Sequence, residues 1–203
     1  MAGRSTAHAG PSPKYEQRRL EVLRAAARTF NRLGFHIATL DDVAQDLGIT
    51  KPALYYYAES KDELLFACGQ LAIEALEGAL RESAELELNP VERLCRFFTL
   101  YAEIICGDFG RCLALTEPRD LAPKSRKASM AGRRSLNLAV RQLIRDGVDA
   151  GLIRPLDERA LSIAMFDTFN GLARWFNRRG ASPLTAIVDQ HLAVFLDGVT
   201  PRQ

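Results

Sequence analysis

The chain has 203 residues, of which 47% are hydrophobic and 26% charged, and these fractions are typical of a globular protein. They exclude collagen-like, low-complexity and wholly disordered classes, and a chain of this length buries a core without help from a metal or a disulfide. The formal net charge is only +2, but residues 1–38 carry seven basic and two acidic side chains, which concentrates positive charge at the N-terminal end.

Cysteine spacing and hydropathy indicate the cellular compartment of the protein. None of the four cysteines forms a Cys-x-x-Cys pair or has a histidine at zinc-ligand spacing, so we expect reduced thiols, no metal and no cofactor. No apolar run approaches the ~18 residues of a membrane helix, and residues 1–14 lack the apolar stretch of a signal peptide. The sequence therefore predicts a cytoplasmic protein with no membrane partner.

The first segments in chain order are a tail and a helix. Residues 1–14 are rich in Gly, Ser, Ala and Pro, a composition that predicts a mobile tail. From Tyr15 onward, apolar side chains recur every three or four residues until Gly34, which predicts an amphipathic helix over 15–33.

Two short helices are predicted next. Thr39 can cap the first, and Gly48 ends it because glycine enters the left-handed conformation at little cost. Thr50 can cap the second, which has Pro52 in its first turn and continues through 53–57. Two short helices joined by a Gly-Ile-Thr turn predict a helix-turn-helix.

Two longer helices follow this motif. Ser60 and Glu63 have the spacing of a capping box, which predicts a helix over 61–88. The pair Asn89-Pro90 breaks the chain and predicts the start of another helix, which ends before Gly107.

The remainder is also predicted to be helical. Residues 107–123 are expected to form a loop with one short helix near 111–115. Further helices are predicted at 124–150, 157–179 and 183–197, with stops at Gly151, Gly180 and Gly198. Because no β-type alternation of useful length occurs, we expect an all-α fold.

The sequence lacks a catalytic constellation. His8, His36 and His191 are not spaced with a carboxylate or a cysteine as a metal or nucleophile motif requires. Gly107 and Gly110 follow a predicted helix and not a strand, so they do not form a phosphate-binding loop. We therefore do not expect an enzyme.

The third predicted helix carries an unusual run of tyrosines. Successive residues of a helix are about 100° apart, so Tyr55, Tyr56 and Tyr57 cannot all point into one core. Exposed tyrosines can contact thymine methyl groups and donate hydrogen bonds to phosphate, which favours DNA binding. The alternative is a packed corner in a helical protein that binds only a small molecule.

Residues 15–65 resemble the N-terminal DNA-binding domain of the tetracycline-repressor (TetR) family. The matching segments are AAARTFNRLGF and HIATLDDVAQDLGITKPALYYYAESKDELL. The resemblance implies a homodimeric transcriptional regulator, expected to be a repressor, that binds a pseudo-palindromic operator in double-stranded DNA. It implies a DNA-binding domain over 15–62 and a helical effector-binding and dimerisation domain over 63–203. Tyr57 and Ala58 stand where histidine and phenylalanine are frequent, which leaves the base preference open.

The resemblance also assigns DNA contacts by position. The recognition helix would lie in the major groove, the start of the preceding helix would bind phosphate through its hydroxyl and amides, and Lys61 would bind phosphate at the start of the fourth helix. The expected DNA-binding residues are Thr39, Thr50, Lys51, Pro52, Ala53, Tyr55, Tyr56, Tyr57 and Lys61. The pair Arg18 and Arg19 would add phosphate contacts, and the basic tail is either a minor-groove contact or only solvated.

The C-terminal part is expected to hold an effector pocket and a dimer interface. Residues of either group could instead be plain core. The expected pocket residues are Phe97, Phe98, Tyr101, Ile105, Met130, Phe166, Phe169, Asn170 and Arg174. The expected interface residues are Leu172, Trp175, Phe176, Ile187, Val188, His191 and Phe195.

Two further segments bear on the effector. NGLARWFNRRGASPL is similar to the C-terminal region of family members that sense acyl-coenzyme A or lipid-derived metabolites, which implies a hydrophobic or acyl-type effector. The basic residues between Ala122 and Gln142 have no acid among them, so they form either a solvated face or a site for an anionic ligand such as a coenzyme A phosphate. They are Lys124, Arg126, Lys127, Arg133 and Arg134.

Overall fold

The computed structural model of the protein describes residues 12–199, with side chains through Gly198, and this part of the chain is helical without β-strands. The all-α fold predicted from the sequence is confirmed. In chain order the helices are α1 (Pro13–Leu33), α2 (Leu40–Leu47), α3 (Lys51–Tyr55), α4 (Lys61–Glu85), α5 (Pro90–Ile105), α6 (Asp108–Leu115), a 3-10 turn (Pro118–Asp120), α7 (Pro123–Asp149), α8 (Glu158–Trp175) and α9 (Leu184–Val199).

The side chains form two hydrophobic cores that share α4. The first core joins α1, α2 and α3 to the start of α4, with Val22, Val43 and Leu54 wholly buried. The second core joins the rest of α4 to α5, α7, α8 and α9. The passage from the small N-terminal unit to the larger helical unit therefore lies within a continuous helix, and not in a flexible linker.

Local capping explains where the short helices begin. Thr39 accepts a hydrogen bond from the Asp42 amide at 3.2 Å, and the Asp42 carboxylate accepts one from the Thr39 amide at 2.8 Å. Gly48 has φ +64°, a conformation that costs glycine little, and the Thr50 hydroxyl accepts from the Ala53 amide. At α4, the Ser60 hydroxyl accepts from the Glu63 amide as predicted.

Several boundaries differ from the predicted ones. Helix α1 begins at Pro13 because the Ser12 hydroxyl accepts from the Tyr15 amide, and residues 1–11 of the predicted tail lie outside the described residues. Helix α3 ends at Tyr55, two residues before the predicted end at 57. Helix α8 ends at Trp175, before the predicted stop at Gly180, and α9 continues through Gly198, where a stop was predicted.

Helix α6 begins at Asp108, three residues before the short helix predicted near 111–115 within the loop segment. Gly110 lies so close to α5 that an added Cβ would be 2.0 Å from the Ile104 carbonyl oxygen. The glycines that suggest a loop in the sequence thus permit a close approach of two helices.

The first turn of α4 also holds the start of α7. The Asp62 carboxylate accepts hydrogen bonds from the Ala122 amide at 2.7 Å and from the Ser125 hydroxyl at 3.1 Å. These bonds satisfy donors at a helix N-terminus that carries no side-chain cap of its own. No helix in the described part of the chain is long and apolar enough to cross a membrane.

Candidate nucleic-acid interface and ligand cavity

Helix α2 is fixed to α1 by polar contacts around one carboxylate. Asp46 accepts hydrogen bonds from the Thr29 hydroxyl at 2.5 Å and from the Arg32 guanidinium at 2.6 Å. The bond from Thr29, followed by the one from Arg32, holds the pKa of Asp46 below its ordinary value. These contacts set the angle at which the helix-turn-helix leaves α1.

Helix α3 presents a polar and aromatic face to solvent. Its Leu54 is wholly buried, whereas Tyr55 and Tyr56 are 48% and 71% exposed. Thr50, Pro52 and Ala53 are exposed beside them. This arrangement is the one that a recognition helix needs, because the side chains available to base edges and phosphates share one face.

Lys51 is already paired in the absence of DNA. Its ammonium donates to the Asp41 carboxylate at 2.7 Å, and this hydrogen bond raises the pKa of Lys51. Both side chains are solvent-exposed, so the ion pair is weak and can be exchanged for a phosphate contact.

Tyr15 joins the recognition helix in a contact that sequence reasoning missed. Its ring stacks on Tyr57 with centroids 5.5 Å apart and meets the edge of Tyr56 at 5.6 Å. Tyr57 is therefore half-buried against α1, which leaves less of its ring available to DNA than the rings of Tyr55 and Tyr56. The only sequence signal was the position of Tyr15 at the start of the helical periodicity of α1.

The aromatic cluster yields a test of how α3 is positioned. We expect Tyr15→Ala to lower DNA affinity roughly tenfold, since two ring contacts worth about 0.5–1.5 kcal/mol each would be lost. Tyr15→Phe keeps both rings in contact and is expected to bind as the parent does. Fluorescence anisotropy with an operator fragment measures both variants, and an unchanged affinity for Tyr15→Ala would show that the cluster does not position Tyr56.

The structure gives Lys61 a different role from the predicted phosphate contact. Its ammonium donates to three backbone carbonyls, those of Phe35 at 2.6 Å, His36 at 3.2 Å and Ala38 at 2.9 Å. All three of its hydrogens are thus used within the protein. Lys61 ties the start of α4 to the loop between α1 and α2, and its phosphate contact is not supported.

Two other expected phosphate contacts also have partners inside the chain. The Thr39 hydroxyl donates to the Asp42 carboxylate at 2.7 Å, so a negatively charged group already occupies the start of α2. Arg18 pairs with Glu21 at 2.5 Å on the surface of α1. A phosphate would have to compete with these carboxylates.

A cavity of about 200 Å³ lies among α4, α5, α7 and α8. The Tyr101 hydroxyl donates to the Asn170 side-chain oxygen at 2.7 Å within it, and burial raises the pKa of Tyr101. Arg133 enters the cavity from α7. The full lining consists of Leu76, Tyr101, Leu113, Arg133, Leu136, Asn137, Ile163, Phe166, Asp167 and Asn170.

Arg133 is only partly satisfied at this site. One terminal nitrogen donates to the Leu113 carbonyl at the end of α6, whereas the buried Nε has no hydrogen-bond partner. Burial lowers the pKa of Arg133 from its ordinary value. The Arg133 guanidinium thus brings a positive charge to the wall of the cavity, which favours a ligand that carries an acceptor oxygen.

The expected pocket residues divide into three groups. Tyr101, Phe166 and Asn170 do line the cavity. Phe97, Phe98, Ile105 and Phe169 are wholly buried in the core behind it, so their assignment to the lining was wrong. Met130 is exposed on α7, and Arg174 lies in a separate cleft. Periodicity located the apolar helices but could not tell the layer that faces the cavity from the layer behind it.

The expected interface residues also divide. Leu172, Phe176 and Val188 are buried within this chain, so they cannot supply much surface to a partner. Trp175 is 55% exposed and stands near His191, with ring centroids 6.3 Å apart. Ile187, His191 and Phe195 are half-buried. The exposed Val194 and Ile163 were not predicted, and they extend the apolar surface of α8 and α9.

The fold and the exposed α3 face define a helix-turn-helix DNA-binding protein with a second, larger helical unit. A family model described as "Tetracyclin repressor-like, C-terminal domain" matches residues 87–199, and one described as "Bacterial regulatory proteins, tetR family" matches residues 22–68. The chain therefore belongs to the TetR family of transcriptional regulators, which are DNA-binding proteins and not enzymes.

Individual relatives share this organisation. The transcriptional repressor KstR2 of Mycobacterium tuberculosis is 29% identical over 188 residues, which are 90% of this chain and 93% of that protein. The regulator HbdR of an Aromatoleum strain is 25% identical over 147 residues, 72% of this chain and 64% of HbdR.

Solved structures agree with the fold. The structure of the ketosteroid transcriptional regulator KstR2 of Mycobacterium tuberculosis superimposes with a TM-score of 0.84 and 25% identity, covering 97% of this chain and 100% of that one. The TetR family regulator PfmR of Thermus thermophilus gives a TM-score of 0.79 and 28% identity, covering 87% and 97% respectively.

Proposed function

We propose that the protein is a cytoplasmic repressor that binds a pseudo-palindromic operator as a homodimer and leaves it when a small hydrophobic or acyl-type effector binds. The observation that carries the DNA-binding half is the exposed face of α3, where Tyr55 and Tyr56 stand clear of the core on a helix fixed to α1. The relative KstR2, a repressor that aligns over most of both chains, supports repression as the outcome.

Two copies of α3 would enter successive major grooves. Such half-sites are roughly 34–36 Å apart, so a two-fold dimer matches a palindromic site only when its reading units have that spacing. The exposed Ile163 on α8 and Val194 on α9 supply apolar surface for such a dimer.

The effector would bind in the cavity beside Arg133. At about 200 Å³ the cavity is smaller than the roughly 300–1,000 Å³ of a drug-sized ligand site, so it suits a short acyl chain or one or two rings. The Arg133 guanidinium and the Tyr101–Asn170 pair would bind a carbonyl or carboxylate oxygen. Release requires that the effector bind the non-matching conformation more tightly than the DNA-bound one.

Binding to the DNA upstream of the gene, measured by mobility shift at two salt concentrations, tests the proposal. A specific shift that weakens steeply with salt supports an operator-binding regulator, because counterions are released at each phosphate contact. Short-chain acyl compounds and one- or two-ring ketones are then added to seek release. If genome-wide selection of bound fragments also yields no specific site, the DNA-binding half of the proposal fails.

A substitution on α3 gives a sharper test of the reading face. We expect Tyr56→Ala to weaken operator binding roughly tenfold or more while preserving the helical circular dichroism spectrum, since one base or phosphate contact is lost without touching the core. Leu86→Ala, at an exposed apolar side chain at the far end of α4, serves as the control. Equal affinities for the two variants would rule out the α3 face as the DNA contact.

A further inference from the structure

A second concave site lies between α1, the start of α6 and the segment that follows α8. Its volume is about 580 Å³, within the range of small-ligand sites. Its lining is dominated by guanidinium groups, with a single carboxylate. The basic residues are Arg28, Arg32, Arg111, Arg174, Arg178 and Arg179.

Most of this positive charge has no counterion. Arg28 pairs with Asp108 at 2.8 Å, and Arg32 pairs with Asp46 outside the cleft. Arg111 donates to the carbonyl of Phe176, which is neutral. The side chains of Arg174, Arg178 and Arg179 have no hydrogen-bond or ion-pair partner among the described residues, and all three are exposed. Four guanidinium groups therefore share one cleft without a carboxylate to neutralise them.

The side chains also indicate the chemistry of the missing partner. Guanidinium groups form planar, bidentate hydrogen bonds with phosphate oxygens, and several of them around one cleft suit adjacent phosphates. Trp175 stands at the same cleft with 55% of its surface exposed, an aromatic face on which a flat base can stack. Neighbouring like charges repel one another, so an anionic ligand would relieve the repulsion as it binds.

We propose that this arginine cleft binds the diphosphate group of a small-molecule ligand. The inference rests on the proposed function in one respect, since the diphosphate would belong to an effector whose apolar part lies in the cavity one helical turn earlier along α8. The arginine cleft, and not the basic run of α7, would bind the phosphates, because Arg133 lines the cavity and Arg126 donates to the Leu121 carbonyl.

The cleft joins both units of the molecule. Arg28 and Arg32 belong to α1 of the DNA-binding unit, whereas Arg174 lies in the last turn of α8 in the larger unit. A diphosphate that attracts Arg28 competes with its ion pair to Asp108 at the start of α6. Binding at the cleft therefore changes a contact between the two units as well as adding charge neutralisation.

The chain contains its own reporter for the test. Trp175 is the one tryptophan of the sequence and lines the cleft, so its fluorescence responds directly to a bound ligand. The full-length protein is titrated with inorganic pyrophosphate, with orthophosphate as the single-phosphate comparison. We expect a saturable change with pyrophosphate, and weaker binding of orthophosphate.

Paired variants separate the cleft from general surface charge. Arg178→Gln with Arg179→Gln should weaken pyrophosphate binding at least tenfold, because two charge-assisted hydrogen bonds are lost. Lys127→Gln with Arg134→Gln removes the same charge from the exposed face of α7 and should leave binding within about twofold of the parent. Both substituted pairs are exposed, so thermal unfolding is expected to stay unchanged.

The titrations either support or overturn the assignment of the cleft as a diphosphate site. No saturable response to pyrophosphate, equal binding of orthophosphate, or equal losses in the two variants would overturn the assignment. So would a cleft variant that loses affinity only for non-operator duplex DNA, which would make the cleft a nucleic-acid contact. ADP and coenzyme A share the diphosphate, so saturation by either supports the proposal, and the tighter of the two identifies the source. None of these titrations uses an operator, so failure of the proposed function would be seen separately.

Discussion

Replacing Gly110 with alanine is expected to lower the free energy of unfolding by about 3 kcal/mol or more. The added Cβ would lie 2.0 Å from the Ile104 carbonyl oxygen and 2.5 Å from the Ile105 Cα, and both are backbone atoms of α5 that no rotamer change can move. Overpacking that forces helices apart commonly costs 1–3 kcal/mol, and so close an approach lies at the upper end. Urea unfolding followed by circular dichroism measures the loss.

Gly78 provides the matched control within α4. A Cβ there would meet only the far end of the Arg81 side chain at 3.8 Å, which can move aside. We expect Gly78→Ala to stabilise the protein by about 0.5–1 kcal/mol, since alanine loses less entropy than glycine in a helix. Identical midpoints for Gly110→Ala and the parent would mean that α6 does not press against α5 as described.

Lys61→Met is expected to destabilise the N-terminal unit by about 2 kcal/mol, because three carbonyls would lose a charged donor while the apolar stem is kept. The resulting fall in melting temperature would be roughly 4–8 °C for a chain of this size. The sequence alone predicts unchanged melting and a phosphate contact, so the variant distinguishes the two roles. Differential scanning calorimetry and operator binding across a salt series are measured together.

Lys51→Met is the control for charge and chain length. Lys51 is exposed and its ion pair is with the exposed Asp41, so Lys51→Met should melt close to the parent. If Lys61→Met melted as the parent does and reduced the salt slope of DNA binding by about one unit, Lys61 would be a phosphate contact after all.

The sequence could predict those features that depend on a few neighbouring residues. Thr39, Thr50 and Ser60 were identifiable as helix caps because a hydroxyl before an apolar repeat satisfies amides two or three residues on. The exposure of at least one tyrosine followed from the 100° spacing of helical residues. The helix-turn-helix and the all-α fold were therefore predictable from local pattern.

Features that depend on distant residues could not be predicted. Lys61 was predicted to contact DNA because no residue near it in the sequence indicates that its ammonium donates to backbone carbonyls between residues 35 and 38. Leu172 and Val188 were predicted to lie in the dimer interface, yet they are buried in the core of a single chain. Arg133 was one of five similar basic residues, and only the crossing of α7 with α5 distinguishes it. Apolar periodicity shows which face is buried but not what covers it.

The two residues at the start of α4 have a mechanical consequence. Lys61 hydrogen-bonds to the loop after α1, and its neighbour Asp62 hydrogen-bonds to the start of α7. The two side chains leave α4 about 100° apart around the helix axis. Because both sets of hydrogen bonds belong to one rigid helical turn, a rotation of α7 is transmitted directly to that turn. Either the Asp62 bonds break, or the reading unit turns by a comparable angle. The first turn of α4 thus couples the start of α7 to the loop that precedes the reading unit.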